Sequence, residues 1–320
     1  MSEERELLRS TVAALVDKHA TPEAVRTAME SDRGYDESLW KLLCEQVGAA
    51  ALVIPDDLGG AGGELADAAV VLEELGKALV PTPLLGTTLA ELALLHAGDH
   101  ESLEGLAEGA SIGTVVFDPE YVVNGDIADI VIAADGTELT RWTNVTAQPH
   151  ATMDLTRRLS SVTAGETAAL GTDPGLSDTA ALLLAAEQIG AAARALDLTV
   201  AYTKDRVQFG RPIGSFQAVS SRLADGYIDI KGLRLTLTQA AWRLSEDLPA
   251  DVDVASAAFW AAEAGHRVAH TTVHVHGGVG IDTDHPVHRY FLAAKQTEFA
   301  LGGATGQLLR IGRELADTPA

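Results

Sequence analysis

The chain has little cysteine, little positive charge and no long apolar run. Its 320 residues include one cysteine, Cys44, which excludes an internal disulfide and a cysteine-rich metal site. Lysine and arginine number 23 against 46 aspartates and glutamates, and the resulting charge of −23 repels nucleic acid and anionic lipid. Without 18 consecutive apolar residues we expect no membrane span, and without an apolar N-terminal stretch no secretory signal. A cytoplasmic protein is the simplest expectation.

What the chain does have is a pattern that changes along its length. Apolar residues recur at helical spacing to about residue 110, short β-branched runs follow, and helical spacing then returns. We therefore predict a mainly α protein with an N-terminal helical domain (1–110), a small β domain (111–172) and a C-terminal four-helix bundle (173–320). Asn124-Gly125 and Asp135-Gly136 predict hairpin turns in the β domain. Ser177 or Asp178 is the expected N-cap of the first bundle helix.

The most informative segment runs from Arg206 to Gln217, between two of the predicted helices. Arg206 supplies a planar, permanently charged group that suits phosphate oxygens. Gly210 and Gly214 let a backbone approach a ligand closely. On chemistry alone the segment indicates either a phosphate-bearing cofactor at a helix junction or an ordinary helix–helix turn capped by a salt bridge.

Three motifs in this order resemble the signatures of the flavin-dependent acyl-CoA dehydrogenases. The pattern R-x-x-F-G-x-x-I-x-x-F-Q begins at Arg206, and the stretches 276–280 and 284–287 are similar to the family's Q-x-x-G-G-x-G and E-x-P segments. Near the N-terminus, the stretches 54–62 and 73–76 complete the set. The chain is identified as a member of this family, which implies an acyl-CoA dehydrogenase fold with a reduced β domain and FAD as the cofactor.

The resemblance also implies which residues hold the cofactor. By their positions in the motifs they are Arg206, Phe209, Gln217, His274, Gly277 and Gly278. Arg206 would bind the flavin pyrophosphate and Phe209 would pack against the cofactor. His274 and the two glycines would line its adenine-diphosphate side.

The family's catalytic glutamate has no counterpart at either of its two positions. Counting from neighbouring motifs places Leu301 at one position and Ala180 at the other, and neither side chain can accept a proton. We therefore assign no catalytic residue to this chain. Glu187 and Glu298 lie near these positions in the sequence and are alternative bases, although a glutamate on a helix surface is the commoner case.

The part of the family's flavin site that holds the ring is eroded as well. The stretches 117–120 and 141–143 match the family's T-E-P and W-[IV]-[ST] segments poorly, and Trp142 is interpreted as a packing residue. In this family the two halves of one flavin site come from neighbouring subunits. A chain that keeps only the pyrophosphate half can therefore complete the site of another chain.

The resemblance thus implies a hetero-oligomer, similar to the α2β2 acyl-CoA dehydrogenases of bacterial steroid side-chain catabolism. The partner would be a homologous subunit that carries the catalytic glutamate, and the substrate an acyl-CoA thioester that becomes α,β-unsaturated. Two alternatives remain open. One is a self-sufficient homo-oligomeric flavoenzyme with Glu187 or Glu298 as its base, and the other is a non-enzymatic assembly subunit.

Histidines 266, 270 and 274 share one flank of a predicted helix. Residues eight apart on a helix are separated by about 12 Å along its axis, so the three side chains cannot converge on one ion. We expect no metal site, and interpret His266 and His270 as packing residues.

Overall fold

The computed structural model describes residues 3–246 and 248–317. Its backbone groups into two compact units, of which unit 1 comprises 1–74 and 80–183 and unit 2 comprises 75–79 and 184–320. Helices dominate both units and small sheets lie in the middle of the sequence, which confirms the mainly α fold class with a β insert. The finer division at residues 110 and 172 stays a prediction.

Unit 1 begins with helices. Within the described residues they are α1 (Glu3–His19), α2 (Pro22–Met29), α3 (Glu37–Val47), α4 (Leu65–Ala78), α5 (Leu84–Ala97) and α6 (Leu103–Ala107). The start of α3 is set by Asp36, whose carboxylate accepts hydrogen bonds from two backbone N–H groups. Ten of the fourteen residues of α5 are buried, so most of this helix lies inside unit 1.

Two acidic residues of one sequence motif fix α1 to α4. Glu73 and Glu74 are buried, and the Arg9 guanidinium lies 3.1 Å from a carboxylate oxygen of Glu73 and 2.5 Å from one of Glu74. Burial of a carboxylate is tolerated when an opposite charge and hydrogen bonds compensate for the lost water. The motif is therefore structural at these two positions.

Two small sheets follow the six helices. Their strands are β1 (Gly113–Val116), β2 (Val122–Val123), β3 (Ile130–Ala134), β4 (Glu138–Thr143), β5 (Thr146–Pro149), β6 (Leu159–Thr163) and β7 (Glu166–Thr172). One sheet has the order β1-β3-β4-β7 and the other the order β2-β6-β5. β1 and β3 pair in parallel, and the remaining pairs of these two sheets are antiparallel. Trp142 on β4 packs against their valine core.

The two predicted hairpin turns have different outcomes. The turn at Asp135-Gly136 is confirmed, because it joins β3 to antiparallel β4 and the Asp135 carboxylate accepts hydrogen bonds from the backbone of Thr137 and Glu138. The prediction of a hairpin at Asn124-Gly125 is wrong. This dipeptide follows β2, which pairs with the distant strand β6 instead of with β3, and Asn124 is buried.

Unit 2 is built from long helices. The helices and strands from residue 176 onward are α7 (Leu176–Asp205), β8 (Val207–Gln208), β9 (Arg211–Pro212), α8 (Gln217–Ser245), α9 (Asp251–His276), α10 (Val287–Ala300) and α11 (Gly303–Asp317). α9 packs against α8, α10 and α11. The described C-terminal region thus has five helices, because α10 adds to the four whose apolar spacing is visible in the sequence.

The predicted N-cap of α7 is wrong. The Asp173 carboxylate accepts hydrogen bonds from the backbone N–H groups of Gly175 and Leu176, both at 2.9 Å. Ser177 and Asp178 therefore lie within the first turn of the helix. Asp173, Ser177 and Asp178 are all residue types that commonly cap helices. The left-handed backbone at Gly175, with φ 90°, places the Asp173 carboxylate rather than the other two side chains at the start of the helix.

Gly76, the last residue of the 73–76 motif, allows α4 to approach α7 within unit 2. A Cβ atom at this position would lie 2.3 Å from the carbonyl oxygen of Glu187. The same short stretch is also contacted from α10, where the Tyr290 hydroxyl donates to the carbonyl of Lys77 at 2.7 Å. This close backbone approach explains why the motif ends in glycine.

No helix in the described ranges combines the length and the apolar character that crossing a bilayer requires.

We predict opposite effects for alanine at two helical glycines. Gly76→Ala forces α4 away from α7 and should lower the free energy of unfolding by about 1–3 kcal/mol. Gly312→Ala, in the middle of α11 with open space around its Cβ position, should raise it by about 0.5–1 kcal/mol. Urea unfolding of both variants measures the difference, and a stabilising Gly76→Ala would contradict this packing.

Candidate functional site

The segment after α7 forms a small projecting hairpin. Strands β8 and β9 pair through Gln208 and Arg211, and the turn between them has both central residues in the left-handed region, Phe209 at φ 52° and Gly210 at φ 80°. This turn type matches the twist of a two-residue hairpin, but it costs energy for a bulky residue such as phenylalanine. The hairpin therefore holds the Phe209 ring outward at a conformational cost.

Two aromatic contacts fix the base of this hairpin. The Phe209 ring packs edge to face against Phe216 at a centroid distance of 6.1 Å, and the Arg211 guanidinium lies 4.1 Å from the centre of the same Phe216 ring. Phe209 nevertheless stays 92% exposed. Most of this large apolar side chain is therefore not buried by any other part of the chain.

The end of α9 forms a second segment of the site. Gly277 caps this helix at φ 63° and ψ −137°, a conformation open to glycine alone, and α9 ends there. Gly280 is packed closely, since a Cβ atom there would lie 2.7 Å from the carbonyl oxygen of Val273. By contrast, Cβ atoms at Gly277 and Gly278 would meet no atom within 4 Å.

The two segments border one pocket of about 720 Å³ within unit 2. Five of the six cofactor-binding residues predicted from the sequence line it: Arg206, Phe209, His274, Gly277 and Gly278. The sixth, Gln217, is the first residue of α8 and is exposed, but it is not among the lining residues, although its neighbours Phe216 and Ala218 are. Residues about 70 positions apart in sequence thus meet at one surface.

Several further residues line this pocket that the sequence did not predict as cofactor-binding, among them Tyr202, Arg222 and His276. Tyr202 lies one helical turn before Arg206, and Arg222 lies one turn after Ala218. Helical spacing from these pocket residues could therefore have predicted that both side chains face the pocket. His276 is the first residue of the 276–280 glycine motif.

The pocket carries two cations without a partner. Neither the Arg206 nor the Arg222 guanidinium makes a hydrogen bond or ion pair with any residue that the structure describes, and both side chains are exposed. Among the described lining residues, Asp282 contributes the single carboxylate. The local charge is therefore positive in a chain whose net charge is −23.

A stacked pair closes the inner side of the pocket. The Tyr202 and His276 rings are 4.3 Å apart and nearly parallel, and Nδ1 of His276 lies 2.8 Å from the carbonyl oxygen of Thr272. Burial, reinforced by the neighbouring His285, lowers the pKa of His276. In its neutral form the ring donates through Nδ1 and keeps Nε2 as an acceptor.

These features fit a ligand that carries phosphate and an aromatic ring. Unpaired guanidinium groups bind phosphate oxygens, exposed aromatic rings pack on a ring system, and glycines without a Cβ contact leave room for close approach. Five of the six residues predicted by resemblance to bind FAD line this pocket, and their role in binding stays a prediction.

The two positions that the family uses for its catalytic base are buried. Leu301, which ends α10, is 4% exposed, and its carbonyl oxygen accepts a hydrogen bond from the Gln307 side chain at 2.6 Å. Ala180 on α7 is also buried. Neither residue supplies an acidic group.

The two alternative bases lie outside the pocket. Glu298 pairs with Lys295 at 2.6 Å and with His266 at 3.1 Å. Partial burial raises the pKa of Glu298, but its hydrogen bonds to Lys295 and His266 outweigh that effect and hold the pKa below its ordinary value. Neither Glu298 nor Glu187 lines the pocket.

Two histidines of this flank make ring contacts. The His266 and His270 rings are 4.3 Å apart and tilted by 32°, and His270 meets Phe291 edge to face at 5.1 Å. His270 is nevertheless exposed, so the interpretation of both as packing residues stays a prediction. Within residues 3–246 and 248–317 there is no cluster of three or more side chains able to hold a metal ion. His274, the third of the series, is exposed and belongs to the pocket.

Comparison with known proteins places the chain in a family. Residues 2–107 match the profile described as "Acyl-CoA dehydrogenase, N-terminal domain", and residues 178–316 match "Acyl-CoA dehydrogenase, C-terminal domain". The chain is similar to the acyl-CoA dehydrogenase IpdE2 of Mycolicibacterium smegmatis, with 64% identity over 98% of this chain and 100% of that protein.

Two solved structures share the fold over nearly their whole length. One is the ChsE4–ChsE5 complex from Mycobacterium tuberculosis, with 43% identity, a TM-score of 0.91, and coverage of 100% of this chain and 99% of that one. The other is a variant of the Tcur3481–Tcur3483 steroid ACAD, with 32% identity, a TM-score of 0.91 and 98% coverage of each chain. The family profiles, the relative and the shared fold agree, and this chain belongs to the acyl-CoA dehydrogenase family.

Proposed function

We propose that this chain is a subunit of a heteromeric, flavin-dependent acyl-CoA dehydrogenase and completes the FAD site of a homologous catalytic subunit. Acyl-CoA dehydrogenases are flavoproteins whose usual cofactor is FAD. Two structural neighbours of the chain, the ChsE4–ChsE5 complex and the Tcur3481–Tcur3483 steroid ACAD, are assemblies of two such proteins. Their likeness to this chain supports a partner of the same fold.

The observation that carries the proposal is that the pocket has groups able to bind a cofactor, whereas the family's base positions hold no group able to accept a proton. The pocket presents an unpartnered Arg206 and an exposed Phe209, whereas the family's base positions hold Leu301 and Ala180, both buried and aliphatic. A subunit that acted alone would need a carboxylate near the thioester. A subunit that completes a partner's site needs only the binding groups.

Each binding group has a distinct role in holding the cofactor. Arg206 binds the diphosphate, and Arg222, on the same pocket, adds a second positive charge. Phe209 packs on the cofactor and is covered only when the partner is in place. Gly277 and Gly278 leave room for the dinucleotide, and His274 offers a hydrogen bond. Gln217, exposed at the start of α8 beside the pocket, adds an amide that can hydrogen-bond to the cofactor.

The reaction takes place on groups that both chains bring together. FAD, held by Arg206 and Phe209, would supply the acceptor for a hydride from the β-carbon of the acyl-CoA thioester, and a carboxylate would remove the α-proton. In our proposal the partner subunit supplies that carboxylate, and this chain orients the cofactor and excludes water from its diphosphate. The steroid ACAD among the neighbours supports a steroid-derived acyl-CoA as the substrate.

We predict that Arg206→Ala lowers the affinity of the assembled complex for FAD by at least about tenfold, since a charge-assisted hydrogen bond contributes about 1.5–3 kcal/mol. Flavin content per complex, measured by absorbance after dialysis, reports the loss. Arg313→Ala on exposed α11 is the matched control and should leave the content unchanged. Full flavin retention in the Arg206 variant would favour a pure assembly role.

A second prediction separates a two-chain site from a relocated base. Glu298→Gln and Glu187→Gln should each change kcat of the complex by less than about twofold, because removal of a true general base costs about 10²–10⁴ in rate. Initial rates with acyl-CoA and an electron acceptor, normalised to bound flavin, provide the measurement. A loss of a hundredfold in either variant would assign the base to this chain.

A third prediction concerns the chain expressed without its partner. Because Phe209 and Arg206 then face water, the isolated chain should be colourless and should not oxidise acyl-CoA. Adding the partner subunit and FAD should restore both the yellow colour and the activity. A yellow, active single chain would support the self-sufficient homo-oligomer.

A further inference from the structure

The position of the proton on the His276 ring is fixed by the fold. Nδ1 lies 2.8 Å from the carbonyl oxygen of Thr272, and because a carbonyl can only accept, Nδ1 carries the proton. Burial, together with the neighbouring His285, holds the pKa of His276 below 6.5, so the ring is neutral near pH 7. Nε2 then has a lone pair and no hydrogen, and it can only accept a hydrogen bond.

This lone pair opens into the cofactor pocket. His276 lines the pocket, and no described residue donates a hydrogen bond to its Nε2. In the described part of the chain, the fully buried side-chain atoms without a partner belong to Glu91, Gln296 and Gln307, so Nε2 of His276 is reachable from the pocket. An acceptor on a residue that is only 4% exposed is costly to leave without a donor.

Two contacts between α7 and α9 hold the ring in place. The Tyr202 ring stacks on His276 with centroids 4.3 Å apart and planes inclined by 22°. About one turn earlier on both helices, the buried hydroxyls of Thr199 and Thr272 are hydrogen-bonded at 3.1 Å. The acceptor is therefore preorganised, and a ligand that uses it does not have to order the ring.

The charged groups of the pocket leave a need for such an acceptor. The Arg206 and Arg222 guanidinium groups can only donate. The Asp282 carboxylate already accepts a hydrogen bond from the backbone N–H of Asp284 at 3.0 Å. A ligand with phosphate alone uses the arginines and leaves Nε2 of His276 unpaired, whereas a ligand that also carries a hydroxyl or an amine satisfies both.

We propose that Nε2 of His276 accepts a hydrogen bond from the adenosine half of FAD, and that the chain binds FAD tightly only while this ring is neutral. The donor is a ribose hydroxyl or the adenine amine, because the flavin ring is assigned to the partner subunit. This inference rests on the proposed function, since it takes FAD as the ligand of the pocket. His276 is thereby a specificity-determining residue that makes retention of the cofactor depend on pH.

The sign of the pH dependence separates an acceptor from a simple positive charge. Protonation places a hydrogen on Nε2 of His276 and removes the acceptor, so the affinity for FAD falls as the pH falls through the pKa of this ring, below 6.5. If the ring acted only through its charge, protonation would instead attract the diphosphate and raise the affinity.

The other groups around the ring act in the second direction. They are Tyr202 and Arg206 on α7, Arg222 on α8, His274 on α9, and Asp282 and His285 in the segment that precedes α10. Those that gain a proton in acid add positive charge near the diphosphate and raise its affinity. A loss of affinity in acid is therefore specific to the acceptor on His276.

Flavin fluorescence titration of the complex with its catalytic partner, after removal of FAD, tests the proposal. The dissociation constant should be constant between about pH 7 and 8 and at least about threefold higher at about pH 5.5, because the lost hydrogen bond is neutral and of ordinary strength. Native mass at each pH confirms that the complex stays assembled.

Two variants distinguish the acceptor from the ring stack. His276→Phe keeps a ring against Tyr202 but has no nitrogen, so it should weaken FAD binding at neutral pH by about threefold to tenfold and abolish the pH dependence. His276→Gln places an amide oxygen near the position of Nε2 and should bind FAD within about twofold of the native complex, also without pH dependence. A residue that served only for stacking would show the reverse order of the two variants.

The two sources of the donor are distinguished with flavin hypoxanthine dinucleotide, in which the adenine amine is replaced by an oxygen. An affinity equal to that of FAD assigns the donor to a ribose hydroxyl. A loss equal to that in His276→Phe assigns it to the amine.

Two results would overturn the role of His276: an affinity for FAD that is unchanged or higher in acid, and full affinity in His276→Phe. Neither result alters the loss of flavin expected for Arg206→Ala. Failure of the proposed function would instead appear as full flavin retention in that arginine variant, so the two failures are distinguishable.

Discussion

An unpaired positive charge and an exposed aromatic ring are the constraint on which the functional account depends. Arg206 has no counter-ion among the described residues, and Phe209 is held outward by a left-handed backbone at a cost in conformational energy. Such groups are expected in a folded chain when binding to another molecule compensates for their energetic cost. In the proposed function, a dinucleotide and a second subunit would meet both demands at one place.

The rest of unit 2 positions these two residues. The length of α7 carries the chain to the hairpin, and the stacked Tyr202 and His276 rings join the end of α7 to the end of α9. The Arg267 guanidinium, bidentate to Asp229 at 2.6 and 2.8 Å, ties α9 to α8. These contacts are made within the unit, so the pocket is preorganised before a partner binds. Preorganisation lowers the entropy cost of completing a shared site.

The sequence predicted those parts of the fold and site that depend on local patterns. Helical spacing located the long helices, and the family motifs located Arg206, Phe209 and the 274–278 segment. These two segments are about 70 residues apart in the sequence, and only the family resemblance predicted that they lie close together. Spacing along a helix carries no information on contacts between distant segments. The Asn124-Gly125 turn failed for the same reason, since a dipeptide cannot reveal that β2 pairs with β6. Arg222 lines the pocket but belongs to no family motif, so the sequence did not predict it as a pocket residue. Gln217 belongs to the motif, but it lies beside the residues that line the pocket and is not one of them.

The central claim is that one active site is divided between two chains, and the structure of the FAD-loaded complex with a bound acyl-CoA analogue tests it most directly. We expect the Arg206 guanidinium within hydrogen-bonding distance of the FAD diphosphate, with the flavin ring and the carboxylate nearest the thioester α-carbon both belonging to the partner. A flavin ring enclosed by this chain alone, with Glu187 or Glu298 at the α-carbon, would contradict the account.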